Sequence, residues 1–305
     1  MDMQSEVTRS VLKRVRQLEI RTNRLLDEHL MGAYRSIFKG QGIDFEEVRE
    51  YMAGDDIRSI DWNITAKMNR PFIKKFREDR ELTVLLVVDV SASLDFGSIF
   101  LSKREVLTEI SSLLAFSATR NNDKVGLLLF SDRVEKFVPP AKGRKHILRI
   151  IRDLLFFEPQ SKGTQLIDVI KYVNNMLRKR AIVFLLSDFI QPKITSIRHL
   201  TDALEITNRR HDLVCLKVED FRERELSNVG LVVFEDAETG EIFEIDTNGR
   251  KFQENYIQNK RYYNGILHER LKRSKIDFLP IQTDGDYSRA LDLFLQKRTK
   301  KLRNF

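Results

Sequence analysis

From Leu82 to Val88 the chain runs apolar without a charged residue, which predicts a strand covered on both faces. Lys124 to Phe130, Ala181 to Phe189 and Asp212 to Val218, each with a long apolar run, also read as strands, and "IDFLPI" at 276–281 adds another. Between these runs the apolar positions change to helical spacing. Val106, Ile110, Leu113 and Phe116 form a stripe on a helix near Ser102 to Arg120. Similar patterns predict helices over 144–157, 165–179, 198–210, 252–273 and 287–301. After the turn "SDR", "VEKFVPP" reads as a hairpin partner of the strand at Lys124 to Phe130. A second hairpin, "LVVFEDAETGEIFEI", has Glu238-Thr239-Gly240 at its turn. This alternation predicts an α/β fold, doubly wound, with a mostly parallel sheet and one antiparallel edge strand.

Ahead of the alternation, Val11, Val15, Leu18 and Leu25 form the seam of a helix over Val7 to Leu30 with one basic face. Tyr34 to Leu82 breaks into glycine-containing turns and short mixed runs, a small β extension. The expected division is therefore 1–80 for the N-terminal helix and short strands. The α/β domain takes 81–305, with a hairpin inserted near 229–247.

Composition narrows the class. At 305 residues, 42% hydrophobic and 32% charged, the chain can bury a large core and is not of the disordered type. Its single cysteine, Cys215, excludes an internal disulfide and sits in an apolar segment, where packing is its expected role. "MDMQSEVTRS" has no apolar leader and no apolar run is long enough to span a bilayer, so the expected address is cytoplasmic. The net charge of +8 raises the question of nucleic acid. The excess lies in Lys13 to Arg24 and Lys297 to Arg303, without interleaved aromatics, and reads as wet helix faces. Nucleic acid is not an expected partner.

The candidate chemistry begins where the first core strand ends, in Asp89-x-Ser91-x-Ser93. Alternate side chains of an extended segment share a side, so one carboxylate and two hydroxyls face one point. That point is the carboxyl edge of the sheet, where open α/β folds collect ligands. Oxygen-only donors suit a hard cation such as Mg2+. A plain strand-to-helix turn accounts for the same residues, since Asp and Ser are favoured caps. Two more positions extend the pattern: Thr164, at an expected helix start beside Gly163, and Asp188, which ends another core strand. Each alone reads as a cap or a loop acid. Together on one sheet they are hard to ascribe to chance.

Rival chemistries fit less well. Phosphoryl transfer of the haloacid-dehalogenase type also starts from a strand-end aspartate, but wants a second acid where Ser91 stands. No G-x-S-x-G elbow or Walker loop occurs, and the five histidines are too scattered for a zinc site. In "GDDIRSIDW", Asp55, Asp56 and Asp61 could form a second acidic site. With Arg49 and Arg58 close by, a structural ion-pair network with Trp62 packed beneath is the favoured reading.

"DVSAS", Thr164 and Asp188 resemble the metal-ion-dependent adhesion site of von Willebrand factor type A domains. The resemblance implies that Asp89, Ser91, Ser93 and Thr164 hold Mg2+ or Mn2+ directly or through water. Asp188 would stand behind the cation or reach it through water. A narrower resemblance covers nearly the whole chain. "GQGIDFEEVREYMAGDDIRSIDWNITAK", "FREDRELTVLLVVDVSAS" and "VGLVVFEDAETGEIFEIDT" are similar to the domain of unknown function 58 family. Many of its members carry transmembrane helices before this region, whereas this chain resembles the short soluble branch. Members are commonly encoded beside MoxR-type AAA+ ATPases. The resemblance thus implies a non-enzymatic, metal-dependent protein–protein interaction module. Its expected partner is such an ATPase, an acidic side chain of a client, or both.

Overall fold

The structure, a computed structural model, describes residues 3–27, 44–77, 81–98, 101–190, 194–224 and 229–303. The chain opens with helix α1 (Met3–Leu25), strand β1 (Asp44–Glu50), the short helix α2 (Trp62–Met68) and strand β2 (Phe72–Arg77). Next come β3 (Thr83–Asp89), α3 (Lys103–Arg120), β4 (Lys124–Phe130), β5 (Val134–Ala141), α4 (Arg144–Phe156) and α5 (Leu166–Met176). They are followed by β6 (Ile182–Ser187), α6 (Ile194–Arg210), β7 (Asp212–Glu219) and the one-turn helix α7 (Phe221–Arg224). The chain finishes with β8 (Leu231–Glu235), β9 (Ile242–Asp246), α8 (Arg250–Arg273), β10 (Asp277–Gln282) and α9 (Tyr287–Arg303).

Six strands form the central sheet in the order β10–β7–β6–β3–β4–β5. β5 runs antiparallel to β4 at one edge, and all other pairings are parallel. This is the doubly wound, mostly parallel architecture that strand–helix alternation implied. β3 is apolar from Val84 to Val88, as a strand covered on both faces requires. Val84, Leu86 and Val88 join a core with α1, α3, α4 and α9, while Leu85 and Val87 join another with α5, α6 and α8. Leu86→Ala is expected to cost about 2–5 kcal/mol, seen as a lower urea midpoint with an unchanged slope. Gly126 lets the antiparallel edge close, since a Cβ there would come within 2.9 Å of the Pro140 ring.

α1 lies on the sheet's helical layer, with Val15, Leu18 and Leu26 in the core beside α3 and α4. Its polar residues are used as well. Arg21 pairs with Glu109 at 2.6 Å, and Glu19 accepts two bonds from Arg144 at 2.7 and 3.1 Å. The side chain of Val11 and the expected helical end at 28–30 lie outside the described residues, as does 34–43 of the extension. At the other end the structure departs from the sequence reading. Arg298, in the basic stretch expected to be wet, is only 6% exposed and binds Asp212 and Asp277.

β1 and β2 make a separate antiparallel pair, and the acidic run lies between them. Arg49 grips Asp55 with two bonds, at 2.9 and 2.8 Å, as the ion-pair reading expected. Asp56 accepts the Arg58 N–H at 3.0 Å. Asp61 is the N-cap of α2, accepting from Asn63 N and Ile64 N. α2 itself was not legible as a helix in the mixed sequence around it. Trp62 corrects the rest of that expectation: it is 67% exposed. The local cap holds the turn, so no buried indole is needed. Among the described residues, no helix is long and apolar enough to cross a membrane. Cys215 is buried in the core, where desolvation pushes its thiol pKa up and leaves it inert.

Candidate metal centre

β3 and β6 are neighbours in the sheet, so the residues after them meet at its carboxyl edge. Asp89, the last residue of β3, is fully buried. Its Oδ1 accepts the Ser91 N–H at 2.9 Å, and its Oδ2 accepts the Ser187 hydroxyl at 2.6 Å. The Ser91 and Ser93 hydroxyls are 3.2 Å apart, and Ser93 donates to Asp188 Oδ2 at 2.9 Å. The Ser91 and Ser93 hydroxyls thus lead to Asp188, while the Ser91 N–H ties the same turn to Asp89. The turn carrying them is a short 3-10 segment, Ala92–Asp95, pinned by the buried Leu94.

Thr164 arrives on the loop before α5. That loop is tied on both sides: Ala92 N donates to Lys162 O at 3.0 Å, and Gln165 N donates to Ser131 O at 3.1 Å. The Thr164 hydroxyl points to a residue absent from the expected set, donating to Glu238 Oε1 at 2.7 Å. The structure therefore joins Asp89, Ser91, Ser93 and Asp188 by hydrogen bonds. It holds the Thr164 loop alongside, with that side chain engaged by the inserted hairpin.

Behind Asp188 lies a buried cation. Lys103, in the first turn of α3, has its Nζ 2.8 Å from Asp188 Oδ2 and 2.6 Å from Glu223 Oε1. Burial pulls its ammonium down, but Asp188 and Glu223 outweigh that and hold its pKa above the ordinary lysine value. Asp89 has no such neighbour. Burial first, and the charge of Asp188 second, push its carboxyl up to about 7 against the help of Ser187 and Ser91. Burial, with Asp188 and Asp236 adding to it, also lifts the Glu238 carboxyl.

Comparison with known proteins places the chain in a family. Residues 47–264 match the family model described as "Protein of unknown function DUF58". The chain belongs to the DUF58 family. Two uncharacterized proteins, Rv1480 of Mycobacterium tuberculosis and Mb1516 of Mycobacterium bovis, are each 28% identical over 288 residues, 94% of this chain and 89% of theirs. Among solved structures, BatB from Bacteroides thetaiotaomicron is similar at TM-score 0.48 and 16% identity, covering 72% of this chain and 99% of BatB. The SpRpn10 VWA domain is similar at TM-score 0.37 and 11% identity, covering 73% of this chain and 95% of that domain. A von Willebrand factor type A protein from Catenulispora acidiphila has TM-score 0.37 and 9% identity, covering 73% and 43%.

The donor chemistry of this DUF58 chain suits a hard divalent cation. Among the described residues, no three side chains of His, Cys, Asp or Glu gather as a ligand set. A cation here would rely on hydroxyls beside two acids, which is what Asp89, Ser91, Ser93, Thr164 and Asp188 provide. The carboxylates of Asp89, Asp188, Glu223 and Glu238 crowd one edge against the Lys103 ammonium, with Lys260 3.8 Å from Glu223.

Sequence reading missed Ser187, Lys103, Glu223 and Glu238. Ser187 was within reach, since it precedes Asp188 at the end of a core strand. Lys103 carried no signal, because a lysine in a first helical turn ordinarily reads as solvated.

Proposed function

We propose that this DUF58 chain is a non-enzymatic module that grips a protein partner through a divalent cation, Mg2+ or Mn2+, at Asp89, Ser91, Ser93, Thr164 and Asp188. The observation that carries this reading is the run of hydroxyls from Ser91 through Ser93 to Asp188, which links two neighbouring strand ends. When bound, the cation would supply residual positive charge toward an incoming carboxylate. The chain's own residues do the positioning. Ser187 and the Ser91 N–H orient the Asp89 carboxylate, and Lys103 fixes Asp188 from behind. The partner is an acidic side chain of a client or of a MoxR-type AAA+ ATPase, and the work is protein remodelling or complex maturation in the cytoplasm.

Phosphoryl transfer is disfavoured by the same geometry. Both Asp89 oxygens accept hydrogen bonds in a fully buried position, a poor arrangement for a nucleophile that must reach phosphorus. The test is a binary binding assay against a MoxR-type AAA+ ATPase, in Mg2+ and in EDTA, run beside an assay for p-nitrophenyl phosphate hydrolysis. Binding at least about tenfold weaker in chelator, with no phosphate release, is the expected result. Equal binding under both conditions, or turnover of the ester, would overturn the proposal.

A further inference from the structure

The inserted hairpin ends on the candidate site. Its turn is built to aim one side chain: Asp236 Oδ1 accepts the Glu238 and Thr239 N–H groups at 2.8 Å, and Gly240 takes the positive φ of 73° that closes the turn. The side chain aimed is Glu238. Its Oε1 accepts from Thr164, while its Oε2 lies over Gly163, 3.8 Å from where a Cβ would stand.

Among the described residues the hairpin's other polar tie is at its base, where Gln253 Nε2 donates to Thr247 O at 2.7 Å. Among the described residues β8 and β9 pair only with each other, and a lone two-stranded ribbon is marginal in water. Its outer face is open, with Leu231 70%, Val233 61% and Ile242 69% exposed. Its inner face does not close on the body either. Val232, Phe234 and Ile245 stand over Phe96, Phe252 and Tyr256 across a cavity of about 520 Å3. The contact at the tip is therefore the specific one in a loosely seated element.

We propose that Glu238 is a latch for the cation site: in this structure the hairpin parks its carboxylate on Thr164, and it turns onto the cation only when the site is loaded, closing the hairpin over it. This rests on the cation reading above and deepens it. A partner approaching the cation meets the hairpin first, so engagement requires Glu238 to give way.

The test combines calorimetric titration with Mn2+ and hydrogen exchange of residues 231–246 on the full chain. Wild type, Glu238→Gln and, as a control, Glu244→Gln are compared; Glu244 is an exposed acid of the same hairpin. Mn2+ is expected to slow exchange at 236–241 in wild type and Glu244→Gln. In Glu238→Gln that protection is lost and Mn2+ affinity falls about tenfold or more. Equal affinity and equal protection in all three proteins would overturn the proposal while leaving the cation site standing. Absence of any Mn2+ heat in wild type would remove the cation reading and this inference with it.

Discussion

Asp89→Asn abolishes the calorimetric response to Mg2+ and Mn2+, weakening either cation about 100-fold or more, while the chain stays folded. Asp89 is the strand-end acid held by the Ser91 N–H and the Ser187 hydroxyl, and asparagine offers a neutral oxygen in place of a charged one. The fold survives because Asn keeps an acceptor for the Ser91 N–H and puts an amide beside Ser187. In chelator the variant should also change the pH profile. The wild-type carboxyl stays protonated up to about 7 in the folded chain, against an ordinary 3.8. Between those values the unfolded chain has released its proton and the folded chain has not, so wild-type stability falls as pH rises. Above about 7 the loss is complete. Asp89→Asn removes this slope, which chemical denaturation at a series of pH values would show. Undiminished Mn2+ binding by the variant would sink the assignment of Asp89.

Lys103→Met is expected to be the most destabilising single change at the site. The Nζ it removes is fully buried and serves two carboxylates, Asp188 and Glu223. Taking one partner from a buried ion pair leaves charge without compensation, at a cost of about 3–5 kcal/mol. For a chain of this size that corresponds to a melting temperature lower by on the order of 10 °C. Adding Asp188→Asn should return part of the loss, with a coupling of roughly 0.5–3 kcal/mol between the two positions. Additive melting shifts would show that the lysine does not act through Asp188.

The sheet was legible because its central strands are buried on both faces and so write themselves as unbroken apolar runs. Asp89, Ser91 and Ser93 were legible from their place at the end of a core strand, although the extended period ends before Ser93, which sits in the 3-10 turn Ala92–Asp95. What escaped depends on contacts between distant segments. The turn around Glu238 could be read, but its descent on Thr164 spans 74 residues. Lys103 and Arg298 look like solvated cations until the sheet brings acids against them. Trp62 failed in the opposite direction: a large aromatic suggested burial, and a capped one-element turn left it outside.

The two edge strands of the central sheet bear on how another protein could attach. Each carries proline: Pro139 and Pro140 in β5, and Pro280 in β10. A proline has no N–H to offer a further strand, so both margins are poor templates for extension. Recruitment by strand addition is thereby discouraged on either flank, and the molecule resists lateral self-association through its ladder. Attachment at the rim where the parallel strands end does not depend on either edge.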